Sequence, residues 1–208
     1  MVEAKQVEKS HYEFQKYVDK LRSVSMWHQL DELMRLRPGK VLEIGPGPGL
    51  FKATAAQFDV SVETLDLDPD LNPDHVGSVT EMPFEDNSFD VICAFQVLEH
   101  LPYDLAIKGY REMRRVSRGN LLISLPDAKL VWRYAGYIPI IGKIDKLMPR
   151  PFAKPKQHEF NGEHYYEINK RDYPLKRIIA DFSDEDSVIR TYRVKENPYH
   201  RFFVITPK

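Results

Sequence analysis

The chain has 208 residues, 42% hydrophobic and 29% charged, which suits one globular domain with room for a small insertion. Its formal net charge of −1 supplies no global attraction to nucleic acid or an anionic membrane. Its single cysteine, Cys93, excludes an internal disulfide and argues against a cysteine-ligated zinc site. The polar stretch Met1 to Ser10 lacks the apolar core of a signal peptide, and no apolar run reaches the roughly 18–20 residues that span a bilayer. The expected location is therefore cytoplasmic.

In chain order, the spacing of Tyr12, Phe14, Tyr17, Val18 and Leu21, continued by Met26, Trp27, Leu30, Leu33, Met34 and Leu36, predicts helix from about Glu3 to Leu36. Pro38-Gly39 stops it. Lys40 to Ile44 is a short apolar run, the pattern of a buried strand. A glycine-rich turn, a helical pattern from Leu50 to Phe58 and a second strand from Val60 to Leu67 follow. Together they make a strand–helix–strand unit, which predicts a parallel sheet with right-handed crossovers. Further strands are expected at Phe89 to Ala94 and Leu121 to Leu125, with a helix from about Asp104 to Val116 between them. From Asp127 to Tyr165 the chain is aromatic, basic and proline-rich, and it reads as a long irregular insertion of the kind that forms lids or binding loops. A helix is expected at about Arg171 to Phe182. Strands at Ser187 to Val194 and His200 to Thr206, joined at Asn197-Pro198, read as a closing antiparallel hairpin.

The chemistry concentrates at Glu43-Ile44-Gly45-Pro46-Gly47-Pro48-Gly49, where a strand gives way to a helix. Glycine there permits a sharp turn and close approach of a ligand. The helix start offers unpaired N–H groups. Leu50 stands where a nicotinamide fingerprint wants glycine or alanine, which disfavours an oxidoreductase. The second strand ends in Leu65-Asp66-Leu67-Asp68. Asp66 lies about 20 residues past the loop, where a carboxylate can accept both hydroxyls of a ribose. Asp68 competes for that role and is separated from Asp66 only by its position at the strand end.

The order Val41 to Gly49, Leu65 to Leu67, Met82-Pro83-Phe84, Ser88-Phe89-Asp90 and Val97-Leu98-Glu99-His100-Leu101 resembles the class I S-adenosylmethionine-dependent methyltransferases, type 11 branch. The resemblance is strong from Val41 to Asp127 and weak beyond. It implies an α/β, Rossmann-like sheet of seven strands, six parallel and the last antiparallel, with helices on both faces and a C-terminal antiparallel β-hairpin. The chain then divides into N-terminal helices (1–38), a cofactor-binding core (39–126), an insertion or lid (127–165) and a C-terminal helix with β-hairpin (166–208). The implied cofactor is S-adenosylmethionine, with S-adenosylhomocysteine as product.

By position, the resemblance puts Gly45, Gly47 and Gly49 against the methionine part of the cofactor, with Glu43 fixing the loop and its polar contacts. Asp66 takes the ribose diol and Leu67 packs on the adenine. Ser78 and Val79 face the adenine edge, and Phe95 and Gln96 flank the methionyl amine and the methyl. Ser78 departs from the aspartate that family members often carry. Only about ten residues separate Asp66 from Gly77, so the helix usual in that interval must be shortened or absent.

His100 is the one candidate general base, set against the plainer reading of a residue that caps or packs after the fourth strand. His158, Glu159, Glu163 and His164 form a polar cluster, but no two histidines stand four apart, so no metal is expected and the cluster reads as part of the lid. The acceptor is expected to be a small molecule, because Phe95-Gln96-Val97-Leu98, in place of an Asn-Pro-Pro-Tyr-type sequence, fits the small-molecule members better; the balanced charge is neutral on this point. No nucleic acid is expected as partner. The alternatives are a non-catalytic S-adenosylmethionine-binding protein, or a methyltransferase acting on a protein or lipid. Oligomeric state has no signature in the sequence.

Overall fold

The structure, a computed structural model, describes residues 13–140 and 142–208. The helix expected over Glu3 to Tyr12 lies outside the described residues. The described chain opens with one helical turn, α1 (Phe14–Tyr17), and then α2 (Lys20–Leu36). The helical stretch is broken at Val18-Asp19, earlier than the second piece expected from Met26. Asp19 is extended and caps α2, its carboxylate accepting the Arg22 N–H at 2.8 Å. An aspartate that satisfies an orphan N–H starts a helix more effectively than it continues one. Arg37, at φ 48°, ends α2 just before Pro38-Gly39.

Seven strands form one sheet: β1 (Val41–Ile44), β2 (Val62–Asp66), β3 (His75–Val76), β4 (Phe89–Phe95), β5 (Ser117–Pro126), β8 (Ser187–Arg193) and β9 (His200–Pro207). Their order is β3-β2-β1-β4-β5-β9-β8. The pairs from β3 through β5 are all parallel, and β9 runs antiparallel to both β5 and β8. Six parallel strands and one antiparallel strand, ending in a hairpin, is the arrangement the resemblance implied.

β1 is buried at all four positions, as an interior parallel strand covered on both faces should be. One face packs against α2 and α3 (Leu50–Ala56), through Leu33, Phe51, Ala55, Val41, Val91 and Cys93. The other packs against α4 (Tyr103–Val116) and α5 (Leu175–Phe182), through Tyr110, Met113, Phe182, Leu42 and Ile92. Cys93 is a buried core residue.

Polar ties hold the loops at the sheet ends. Asp90 accepts from the N–H groups of Gly39 and Lys40 at 3.0 and 2.7 Å, fixing the entry to β1. Arg115 donates to the Phe84 and Met82 carbonyls, and Glu112 accepts the Met82 N–H at 3.0 Å. The Met82-Pro83-Phe84 stretch is thereby strapped to α4.

Two expectations are corrected. The segment from Asp127 to Tyr165 is not irregular throughout: β6 (Val131–Ile138) and β7 (Gly142–Pro149) pair antiparallel as a separate two-stranded ribbon. Its strands are mostly exposed, so no buried face imposed the alternation that would have revealed it. The last helix begins at Leu175, not Arg171, because Pro174 stands at its N-cap. A proline starts a helix well but cannot sit inside one.

Candidate functional site

Strand order runs outward from β1 in one direction to β2 and β3, and in the other to β4 and β5. The switch point lies between β1 and β4, and ligands of open α/β sheets bind in the crevice beyond the carboxyl ends of such strands. The glycine loop leaves β1 there, Asp66 ends β2, and Phe95-Gln96 ends β4.

Gly45, Gly47 and Gly49 all have positive φ, at 65°, 53° and 74°, the region glycine enters without steric cost. The Gly45 N–H donates to the Leu65 carbonyl at 2.9 Å. A Cβ at Gly45 would stand 2.7 Å from Val97 Cγ2, so the loop lies hard against the segment after β4. Gly49 opens α3 without a side-chain cap, but that helix is only seven residues long.

Glu43 is buried beneath this loop. Burial pushes its carboxyl up to about 8, against the pull of Lys52. Its Oε2 finds no hydrogen-bond partner among the described residues. An orphaned buried carboxyl aimed under a glycine loop fits a cationic ligand group, which would supply the missing partner. A hollow of about 80 Å³ lies beside it, lined by Met26 of α2 with Glu43, Gly45, Phe51 and Phe95. Phe95 and Phe51 meet edge to face at 5.2 Å and form its apolar wall. A wider cleft of about 580 Å³, lined by Gly47, Gly49, Lys52, Thr64 and Asn72, opens on the α3 side of the loop and does not include Asp66.

Asp66 is half-buried, and burial raises its pKa. Its Oδ1 accepts the Asp68 N–H at 2.9 Å. Asp68 instead accepts the Asp70 N–H at 3.0 Å and caps the 3-10 turn Pro69–Leu71. The two carboxylates thus have different surroundings, with Asp66 at the strand end. That one 3-10 turn occupies the interval where the family usually has a helix. Leu67 is partly exposed, at 39%, an apolar surface beside the strand end.

Ser78 is engaged locally, its Oγ accepting the Thr80 N–H at 3.0 Å. Val79 follows with its side chain turned inward. Its side chain is buried in the core against Gly109 and Leu98, so only its main chain is left to meet a ligand. Gln96 sits at φ 57° and donates its N–H to the Ser124 carbonyl at 3.0 Å. Its amide is satisfied with the nitrogen toward Glu99 Oε1 and the oxygen toward Leu125 N and Ser124 Oγ, each at 3.2 Å.

The 3-10 helix Leu98–His100 follows at once. Glu99 is fully buried, and burial pushes its carboxyl up to about 8. The His100 Nδ1–H donates to the Glu163 carbonyl at 3.1 Å, and the His100 and His164 rings meet edge to face at 5.1 Å. The polar cluster expected over His158 to His164 is therefore divided. His164 joins Glu99 and His100, whereas His158 Nε2 bonds the His164 carbonyl at 2.9 Å and Glu159 is exposed. Glu99, Glu167 and Tyr199 were not singled out for this site. Their partners lie far along the chain, and only the position of Glu99 in Val97-Leu98-Glu99-His100-Leu101 hinted at a role.

The family described as Methyltransferase domain matches residues 11–173, well over half of the chain. A demethylmenaquinone methyltransferase of Beutenbergia cavernae is 28% identical over 156 residues, 69% of this chain and 63% of that protein. The chain thus spans a little under two thirds of that curated relative's length. Among solved structures, the PH0226 protein of Pyrococcus horikoshii superposes with a TM-score of 0.59 at 16% identity, covering 97% of this chain and all of that one. The Burkholderia thailandensis 1,6-didemethyltoxoflavin-N1-methyltransferase, solved with 1,6-didemethyltoxoflavin and S-adenosylhomocysteine, superposes with a TM-score of 0.60 at 15% identity over 96% of this chain and 84% of that one. These likenesses bear out the fold. With the family match, they establish that the chain belongs to the methyltransferase-domain family, the class I S-adenosylmethionine-dependent methyltransferases.

Proposed function

We propose that the chain binds S-adenosylmethionine across the carboxyl ends of β1, β2 and β4 and methylates a small-molecule acceptor. The observation that carries this reading is the orphaned Glu43 carboxyl under a loop of three positive-φ glycines, with Asp66 at the neighbouring strand end. When bound, the cofactor supplies a methyl group made electrophilic by the sulfonium, so the protein's task is alignment and exclusion of water.

In this reading Gly45, Gly47 and Gly49 let the main chain approach the methionine part, and Glu43 balances its ammonium. Asp66 holds the ribose diol with its remaining oxygen, and Leu67 covers the adenine. Ser78, already engaged by Thr80, and the main chain of Val79 border the adenine edge. Phe95 and Phe51 wall off the methyl end, and Gln96 keeps the main chain after β4 in place. In this reading His100 packs after the fourth strand, its ring oriented by the Nδ1–H bond to the Glu163 carbonyl, and it is given no part in proton transfer. The ribbon β6–β7 and the N-terminal helices close the acceptor side.

Asp66→Ala should weaken binding of S-adenosylmethionine tenfold or more in calorimetry, with the melting temperature little changed. Equal affinity would refute the ribose role. A second reading, an apolar lipid or quinone-like acceptor, is favoured by the exposed Trp132, Tyr137, Ile138 and Ile140 of the ribbon. It is favoured also by the relative that methylates demethylmenaquinone. Methyl transfer to extracted lipids but not to water-soluble metabolites would support it.

A further inference from the structure

We propose that Glu99, His100 and His164 form a binding site for a divalent first-row transition cation. One ligand atom from each can be chosen so that all three lie within 4.8 Å of one another. The cluster joins a 3-10 helix to a loop more than sixty residues later in the chain. That separation is why no histidine pair at helical spacing announced it.

Three features prepare these groups for a metal. Gln96 donates its amide N–H to Glu99 Oε1 at 3.2 Å. Glu99 Oε2 is then left with no hydrogen-bond partner among the described residues, in a side chain with no solvent exposure. Such an orphan calls for a cation or a proton. The Nδ1–H of His100 is directed to the Glu163 carbonyl at 3.1 Å, and that of His164 to Glu167 Oε1 at 3.3 Å. Both rings are thus the tautomer whose lone pair sits on Nε2, and a metal-binding imidazole is typically oriented by a carbonyl or carboxylate on its far nitrogen. Glu167 is itself anchored by Tyr199, whose hydroxyl donates at 2.6 Å, and by Lys170 at 3.4 Å.

Two imidazoles and one carboxylate suit manganese, iron, cobalt or zinc better than magnesium or calcium, and three protein ligands leave coordination positions open. Ligand atoms held at about 2.1 Å from a metal stand roughly 3–3.5 Å apart, so binding draws the three side chains inward. The site lies just past Phe95-Gln96, at the acceptor end of the crevice, where an open position on the metal can take water or an oxygen of the acceptor. The inference does not depend on the cofactor assignment, because the cluster stands whatever the glycine loop binds.

The test uses the untagged, chelator-treated chain, titrated with Co²⁺, Mn²⁺, Zn²⁺ and Mg²⁺ by calorimetry, with the visible spectrum recorded for Co²⁺. One cation per chain should bind, with Co²⁺ or Zn²⁺ tighter than Mg²⁺. Glu99→Gln and His164→Gln should each weaken binding at least tenfold, and His75→Ala, a histidine far along the chain from this site, should not. Circular dichroism verifies the fold of each variant, and two independent substitutions keep the result readable if one misfolds. Absence of binding to the wild type, or equal binding by both substituted chains, would overturn the proposal. S-adenosylhomocysteine titrated into the same samples separates this outcome from failure of the methyltransferase reading.

Discussion

At the scale of single residues, the account turns on groups whose environment is costly unless a ligand compensates it. Glu43 is the clearest case. Its folded pKa of about 8 lies above the ordinary 4.5, so between those values the folded state holds a proton that the unfolded state has released. Stability from this group is present below about pH 4.5 and is lost as pH rises toward about 8. Glu43→Gln removes the loss. Relative to wild type, its unfolding free energy should rise by on the order of 2–4 kcal/mol across that window, as urea denaturation at several pH values will show. A difference that does not change with pH would contradict the burial argument.

Gly45→Ala carries a different cost. A left-handed φ strains alanine by about 1–2 kcal/mol, and its Cβ would press on Val97. The variant should lose about 1–3 kcal/mol of stability and bind cofactor more weakly. Wild-type behaviour in both would refute the close approach. The placement of Glu43, Gly45 and Asp66 at strand ends was legible in the sequence because it is local to one strand–helix–strand unit. Glu99 and His164 were not, since their meeting depends on how a distant loop folds back.

At the scale of elements, strands and helices packed against the core were legible and the exposed ribbon was not. β1 and β4 show apolar runs and α4 a helical spacing because the core enforces them. β6 and β7 have no buried face to enforce a pattern. What holds that region is Asp127, which the sequence marked only as the start of the insertion. It is fully buried and accepts Arg201 Nε at 2.7 Å, Asn169 Nδ2 at 2.8 Å and the Lys129 N–H at 2.9 Å, with Arg193 at 3.5 Å. Arg193 also donates to the Lys129 carbonyl at 2.9 Å, so the base of the ribbon and the β8–β9 hairpin share one ionic centre. Asp127→Ala leaves two largely buried guanidinium groups without their anion and should cost about 3–5 kcal/mol. A loss under about 1 kcal/mol in denaturant titration would sink that assignment. Deleting Lys129 to Lys156, by contrast, should abolish methyl transfer while S-adenosylhomocysteine affinity stays within about threefold. Equal loss of both would argue that the ribbon supports the fold instead of closing the site.

At the scale of the whole molecule, alternation of strand and helix up to Asp127 predicted the parallel sheet. The turn at Asn197-Pro198 predicted the antiparallel end, and the observed order β3-β2-β1-β4-β5-β9-β8 agrees with both. No helix among the described residues is long and apolar enough to cross a membrane. The glycine loop follows β1, Asp66 ends β2 and Gln96 follows β4, so all three stand at the carboxyl ends of strands flanking the switch point. The most direct measurement is a calorimetric titration of the wild-type chain with S-adenosylmethionine and S-adenosylhomocysteine, with NAD as control. The account predicts one site for each of the first two and no heat from NAD. Binding of NAD, or of none of the three, would contradict it.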